Sequence, residues 1–228
     1  MDIVNWLYLK ANKLIKSSIQ QNDDIILLGT DVSFEKRGDQ FKSYGISYSQ
    51  FVASLPPASS GLFAQIADGP VVTNTTTEST LVGTGVGSLS VPANSFQVGD
   101  SFSVTIGGHI SAKNNNTLRI RVRRNGTTIL GDTGIIIMPG ITDKRWEMEI
   151  TFTIRAIGPA GVASITSAGQ FTYSKNASNA FEGSDFSVVN NTTFDTTILN
   201  TLNITAEWGQ ADPLDSIYTE HLVLTKIY

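Results

Sequence analysis

The chain contains no cysteine. That excludes disulfides, thiolate nucleophiles and zinc–cysteine sites, and it fits synthesis in a reducing cytoplasm. Histidine is nearly as scarce, with only His109 and His221. A histidine metal cluster or a histidine-based triad would have to form around one of these, and nothing in the sequence places a nucleophile near either. Charged residues make up 16 % of the chain, against roughly 25 % in an average domain. The net charge is −4, so no overall basic field recruits nucleic acid or an anionic membrane. No apolar run approaches the ~20 residues of a transmembrane helix. Met1-Asp2-Ile3-Val4-Asn5-Trp6 lacks the basic region and small-residue cleavage site of a secretory signal. Export by the general route is therefore not expected, and lysis is the expected way out of a cell.

What the 228 residues do contain is β-prone. Hydrophobic residues are 40 %, enough to fill a core, and Thr, Asn and Ser supply the polar surface, a composition that suits exposed strands and turns. The clearest stretch is 117–154. Leu118-Arg119-Ile120-Arg121-Val122-Arg123 alternates apolar and basic, Asn125-Gly126 follows, and Thr127-Thr128-Ile129-Leu130 is again β-prone. Two such runs around Asn-Gly predict a hairpin, because a type I′ turn needs positive φ at both central residues. After a turn at Pro139-Gly140, Trp146, Met148, Ile150, Phe152 and Ile154 alternate with polar residues. That period predicts a strand with one buried and one wet face.

Upstream, Asp2 to Ile19 reads as a helix with Asp2 as its cap, and Val4, Leu7, Ala11, Leu14 and Ser18 lie along one side. Such a helix docks on its own chain, on a partner, or on a membrane surface. Short strands follow up to Tyr44, Ile46 to Leu55 reads as a short helix capped by Ser47, and over residues 1–55 six Lys/Arg balance six Asp/Glu. This small α+β unit reads as an attachment or assembly element. Leu55-Pro56-Pro57-Ala58-Ser59-Ser60-Gly61 marks a linker. Residues 62–228 read as nearly all β. Strands are expected at Leu62–Ala67, Val71-Val72, Thr80–Val82, Ser88–Pro92 and Ser101–Ile106, the last with Phe102, Val104 and Ile106 inward. Gly107-Gly108 permits a bulge or bend. Further strands are expected at Val162–Ile165, Gln170–Tyr173, Phe186–Val189, Ile198–Trp208 and Ile217–Ile227. Tyr218, Leu222, Leu224 and Lys226 share one parity in the last. The expected fold is an antiparallel β-sandwich or jelly roll.

Each chemical motif has a plain alternative. Gly83-x-Gly85-x-Gly87 lacks the Lys-Ser/Thr and the helix of a phosphate loop, and reads as a flexible turn. Arg119, Arg121, Arg123 and Arg124 form a basic stripe. It is open to three readings: cross-strand pairs with Glu147 and Glu149, a subunit interface, or anion binding. His109 reads as a strand-end residue. Asp132, Asp143, Asp212 and Asp215 sit in loops, where aspartate usually forms turns; a glycosidase would need two of them facing across a sugar. Asn74, Asn125, Asn191 and Asn203 each begin a glycosylation sequon, expected to stay unmodified without a secretory signal. No catalytic, cofactor-binding or metal-binding residue is assigned, and no ligand-binding residue is identified.

Several segments together resemble the jelly-roll modules at the ends of phage and viral fibre, spike and decoration proteins. They are Thr80-Leu81-Val82-Gly83-Thr84-Gly85, Val91-Pro92-Ala93-Asn94 with Phe96 and Val98-Gly99-Asp100-Ser101, the 118–127 hairpin, Asp132-Thr133-Gly134, Trp146-Glu147-Met148-Glu149, Thr153-Ile154-Arg155 with Ile157-Gly158, and Ala206-Glu207-Trp208-Gly209. The resemblance spans roughly 62–228. It implies a homotrimeric, tumour-necrosis-factor-like jelly-roll head on a virion surface, with 1–55 as the base that docks on other capsid or tail proteins. It implies no enzyme activity, no cofactor, and neither nucleic acid nor membrane as partner; host-surface glycan remains a candidate contact. It carries over no functional residue. Three rivals stand beside it: a monomeric lectin-like module using Phe181 and Tyr218, a capsule-degrading hydrolase, and a particle-stabilising cement protein.

Overall fold

The computed structural model describes residues 61–176 and 180–228. The expected helix at 2–19, the rest of the 1–55 element and nearly all of the linker lie outside the described residues. Gly61, the linker's last residue, already begins a strand. Five short strands come first: β1 (Gly61–Gln65), β2 (Val72–Thr73), β3 (Ser79–Thr80), β4 (Gly85–Gly87) and β5 (Ser90–Val91). Then come β6 (Ser101–Ala112), β7 (Thr117–Arg124), β8 (Thr128–Asp132), β9 (Ile136–Ile137) and β10 (Ile141–Ala156). The chain ends with β11 (Ser164–Ser174), β12 (Phe181–Asn190), β13 (Asn200–Trp208) and β14 (Ser216–Lys226). Among the described residues there is no helix.

The strands form two antiparallel sheets. The larger runs β12-β11-β10-β6-β14-β1-β4, with β2 also on β14; the smaller runs β3-β13-β7-β8, with β5 on β13 and β9 on β7. Their inner faces share one apolar core, giving a sandwich-like fold. Period-two patterning explains its filling. On β10, Trp146, Met148, Ile150, Phe152 and Ile154 are all buried; on β6, Phe102, Val104 and Ile106 are; on β7, Leu118, Ile120 and Val122 are. Trp208 at the end of β13 is fully buried, and its indole N–H donates to the Val72 carbonyl at 3.0 Å, so the largest side chain carries no unpaired donor. The β7–β8 turn forms as expected, with φ of 50° at Asn125 and 71° at Gly126.

Several expectations are corrected by the pairing. Gly85–Gly87 is not a free turn: it pairs with β1, and the Phe63 ring lies 2.2 Å from where a Cβ at Gly85 would stand. The absent side chain is what admits the ring. Val162–Ile165 and Gln170–Tyr173 are not two strands; β11 runs through Ala168-Gly169 without a break because β10 pairs with it along that length. The bulge permitted by Gly107-Gly108 is present in the β6–β14 pair, but its extra residue is not on β6. The irregularity lies on β14 between Thr219 and His221, opposite those glycines. Glu220 is the extra residue, and it reverses the facing of the residues after it. Ile217 and Thr219 are buried before it, and Leu222 and Leu224 after it. Tyr218 therefore lies on the wet face, opposite Leu222 and Leu224, and the single parity expected for this strand fails at the bulge.

Candidate functional site

The arginine stripe divides into two environments. Arg119, Arg121 and Arg123 share a parity on β7, and each meets an acid. Arg119 donates through Nε to Asp132 Oδ1 at 2.9 Å, Arg121 donates to Glu78 at 2.7 Å and also to Glu207, and Arg123 grips Glu78 through Nε and through NH2 at 2.6 Å. The Thr205 hydroxyl donates to Glu78 as well. Three guanidiniums against three carboxylates leave no net positive field. The partners are not Glu147 and Glu149. Those belong to β10, which pairs with β6 and β11, placing Glu147 opposite Gly107 and Thr172. Glu78 is the hub: the Arg123 hydrogen bond, helped by Thr205 and the nearby charges and opposed by burial, lowers its pKa to about 2. Burial works to raise Asp132, and the Arg119 hydrogen bond and the Gly134 N–H overcome it, leaving the carboxyl below its ordinary value.

Arg124 is different. It takes the next position in the inward row of Leu118, Ile120 and Val122, and is 6 % exposed. Its Nε donates to Asn200 Oδ1 at 2.6 Å, NH2 to the Asp195 carbonyl at 3.1 Å and NH1 to the Thr128 hydroxyl at 3.4 Å. Its guanidinium carbon lies 6.0 Å from the Phe194 ring centroid. Among the described residues no carboxylate lies in ion-pair range of it. Burial, partly offset by the charge of Asp195, lowers its pKa from the ordinary arginine value. Arg124 lines a cavity of about 280 Å³ between the two sheets. Phe96, Phe102, Leu130, Phe152 and Leu202 form apolar wall. Ser88, Pro92, Ser95 and Lys226 also line it and are exposed, so it opens to solvent there. The sequence signal for this site was a charge at an apolar-parity position.

His109 lies within β6 rather than at a strand end. Its Nδ1 is 2.6 Å from Asp143 Oδ1, its Nε2 is 3.7 Å from Glu220, and its ring stacks on Tyr218 at 6.0 Å between centroids. Asp143 adopts φ of 50° where the β10–β6 register shifts. His221 lies on the same wet face, beside Gly107. Among the described residues no group of three His, Cys, Asp or Glu could hold a metal ion. The other aspartates are ties. Asp215 is fully buried and accepts the Lys113 N–H at 2.7 Å and the Asn116 amide; Asp212 accepts Lys113 Nζ at 2.7 Å. Asp132 ends β8 and Asp143 lies within β10, not in loops as expected; they are held by Arg119 and His109, so the four carboxylates are not gathered into one site. Phe181 is 74 % exposed at the start of β12, whereas Tyr218 is inside a strand and not at a loop tip.

The wet face of the larger sheet is laid out in rows. Thr225, Ser103, Thr151, Ala168 and Ser187 align across β14, β6, β10, β11 and β12. Beside them Ser101, Thr153, Thr166 and Val189 form a second row of uncharged side chains. Charge returns farther along, at Glu149, Glu147 and His109. The described residues thus belong to the two-sheet antiparallel β proteins, with an ion-paired arginine ladder on one sheet, an uncharged patch on the other and an apolar cavity between. Comparison of the sequence with protein-family models and with curated proteins finds no match.

Proposed function

We propose that the protein is a non-enzymatic structural component of a virus or phage particle: a fibre, spike or decoration protein whose residues 1–55 dock on the capsid or tail and whose β head projects outward as a homotrimer. The observation that carries this reading is strand order. Take β1, β3, β6, β7, β8, β10, β13 and β14 as first to eighth. The larger sheet then holds first, eighth, third and sixth side by side, and the smaller holds second, seventh, fourth and fifth. This order supports the reading as a jelly roll, an architecture recurrent in viral capsid and lectin domains. The β11–β12 hairpin widens the larger sheet beyond it. Use of Asp132, Asp143, Asp212 and Asp215 as structural ties supports a non-enzymatic role over hydrolysis.

Antibodies against the full chain should label the surface of purified particles in negative-stain electron microscopy, and light scattering should return three times the chain mass. Particles that lack the protein overturn the reading. A second reading, a lectin-like module, is favoured by exposed Phe181 and by the Tyr218–His109 stack on a wet face. Binding of a monomer on a glycan array, abolished by Phe181→Ala or Tyr218→Ala, would select it.

A further inference from the structure

We propose that the cavity between the sheets is a binding site for a small amphipathic anion, a single medium-length acyl chain whose carboxylate pairs with Arg124. Three arginines that point outward each hold a carboxylate, while the fourth points into the apolar interior and holds only neutral acceptors. A buried charge without a counter-ion is strongly unfavourable, because surrounding apolar groups do not replace the water it has lost. Arginine has five N–H donors, and the three neutral acceptors take one each. Two donors remain for a planar carboxylate, which a guanidinium matches in geometry.

The rest of the cavity selects the tail. Its walls are aromatic and aliphatic, and Asn200 lies beside the guanidinium. A volume of about 280 Å³ falls just below the roughly 300–1,000 Å³ typical of small-molecule sites. That suits one acyl chain and excludes a two-chain lipid. At the mouth Lys226 is paired with Asp100 at 2.6 Å, so those two charges offset each other and the choice of head group falls to Arg124. A cationic amphiphile would be repelled by Arg124 and would find Asp100, the carboxylate that lines the cavity, already taken by Lys226.

The test uses the wild-type full-length chain and three probes with equal tails, dodecanoate, dodecanol and dodecyltrimethylammonium, titrated calorimetrically below their micelle concentrations. Dodecanoate should bind about tenfold or more tightly than dodecanol, and the cation should not bind. Arg124→Gln should abolish the preference for dodecanoate. Leu89→Trp, which narrows the cavity without touching the head-group site, should weaken both neutral and anionic probes. Equal affinity for dodecanoate and dodecanol, or no binding of dodecanoate at submillimolar concentration, overturns the proposal. The head-group comparison needs no variant to fold.

Discussion

Arg123 and Arg124 are adjacent in sequence and opposite in circumstance. One points outward and shares Glu78 with Arg121; the other points inward and meets no acid. The outward set makes stability depend on pH through Glu78. Its folded pKa, about 2, lies below the ordinary 4.5. A group depressed on folding contributes stability that is complete above its unfolded pKa and is lost as pH falls through the folded one. The contribution should therefore be present at neutral pH and disappear between about pH 4.5 and pH 2. Glu78→Gln should cost about 1–2 kcal/mol at pH 7, read as a lower Tm by circular dichroism. Wild type and variant should converge towards pH 2. A Tm gap that stays constant across the acid range would show that Glu78 does not titrate as described. The alternation of the stripe was legible in the sequence, and neutralisation by acids was one of the three readings it left open. The acids themselves were not legible, because Glu78 and Glu207 reach β7 through pairings between distant segments, and nearness in sequence pointed instead to β10.

At the scale of elements, long strands with strict period two were legible: the hairpin, β10 and the first half of β6. Less regular pieces were not. β4 is nearly all glycine, and its strand character comes from docking on β1. β11 carries Gly169 in its middle and is held by β10 and β12 on either side. The β14 bulge was also hidden, since the glycine signal lies on β6 while the extra residue lies on its neighbour. The two are one device. A Cβ at Gly108 would stand 2.2 Å from the Tyr218 carbonyl oxygen and 2.8 Å from Thr219 Cα, both backbone atoms with no rotamer to adjust. Gly108→Ala should therefore push β14 away from β6 at the bulge. A loss of about 2–4 kcal/mol is expected, with faster hydrogen exchange at the Thr219 and His221 amides. The β7–β8 turn, remote from the bulge, should keep its protection. An unchanged Tm for this variant would mean that the strands can part there without cost.

For the whole molecule, the issue is whether the wet face of the larger sheet meets water or another copy. Five neighbouring strands, β12, β11, β10, β6 and β14, have 10 to 16 residues each. At about 4.8 Å between strands and about 3.3 Å per residue, they span a face of roughly 24 by 33 Å, about 800 Å². That equals the per-partner area of a standard protein interface, also about 800 Å². The two uncharged rows across Ser103 and Thr151 offer short side chains that allow close approach, and the exposed Val189 and Val223 add apolar area. In a closed threefold assembly, any residue there is repeated about one axis. Ser103→Glu would bury a carboxylate in each of the three interfaces, among hydroxyl neighbours unable to neutralise it, while on a lone head the same carboxylate would face water at a cost within about 0.5 kcal/mol. Light scattering should then show the trimer reduced to monomer at micromolar concentration with the head's Tm nearly unchanged. A mass that stays trimeric would move the interface to another face. A wild-type chain already monomeric at that concentration would remove the trimer itself, and with it the multiplied weak contacts by which such a head would hold a host surface.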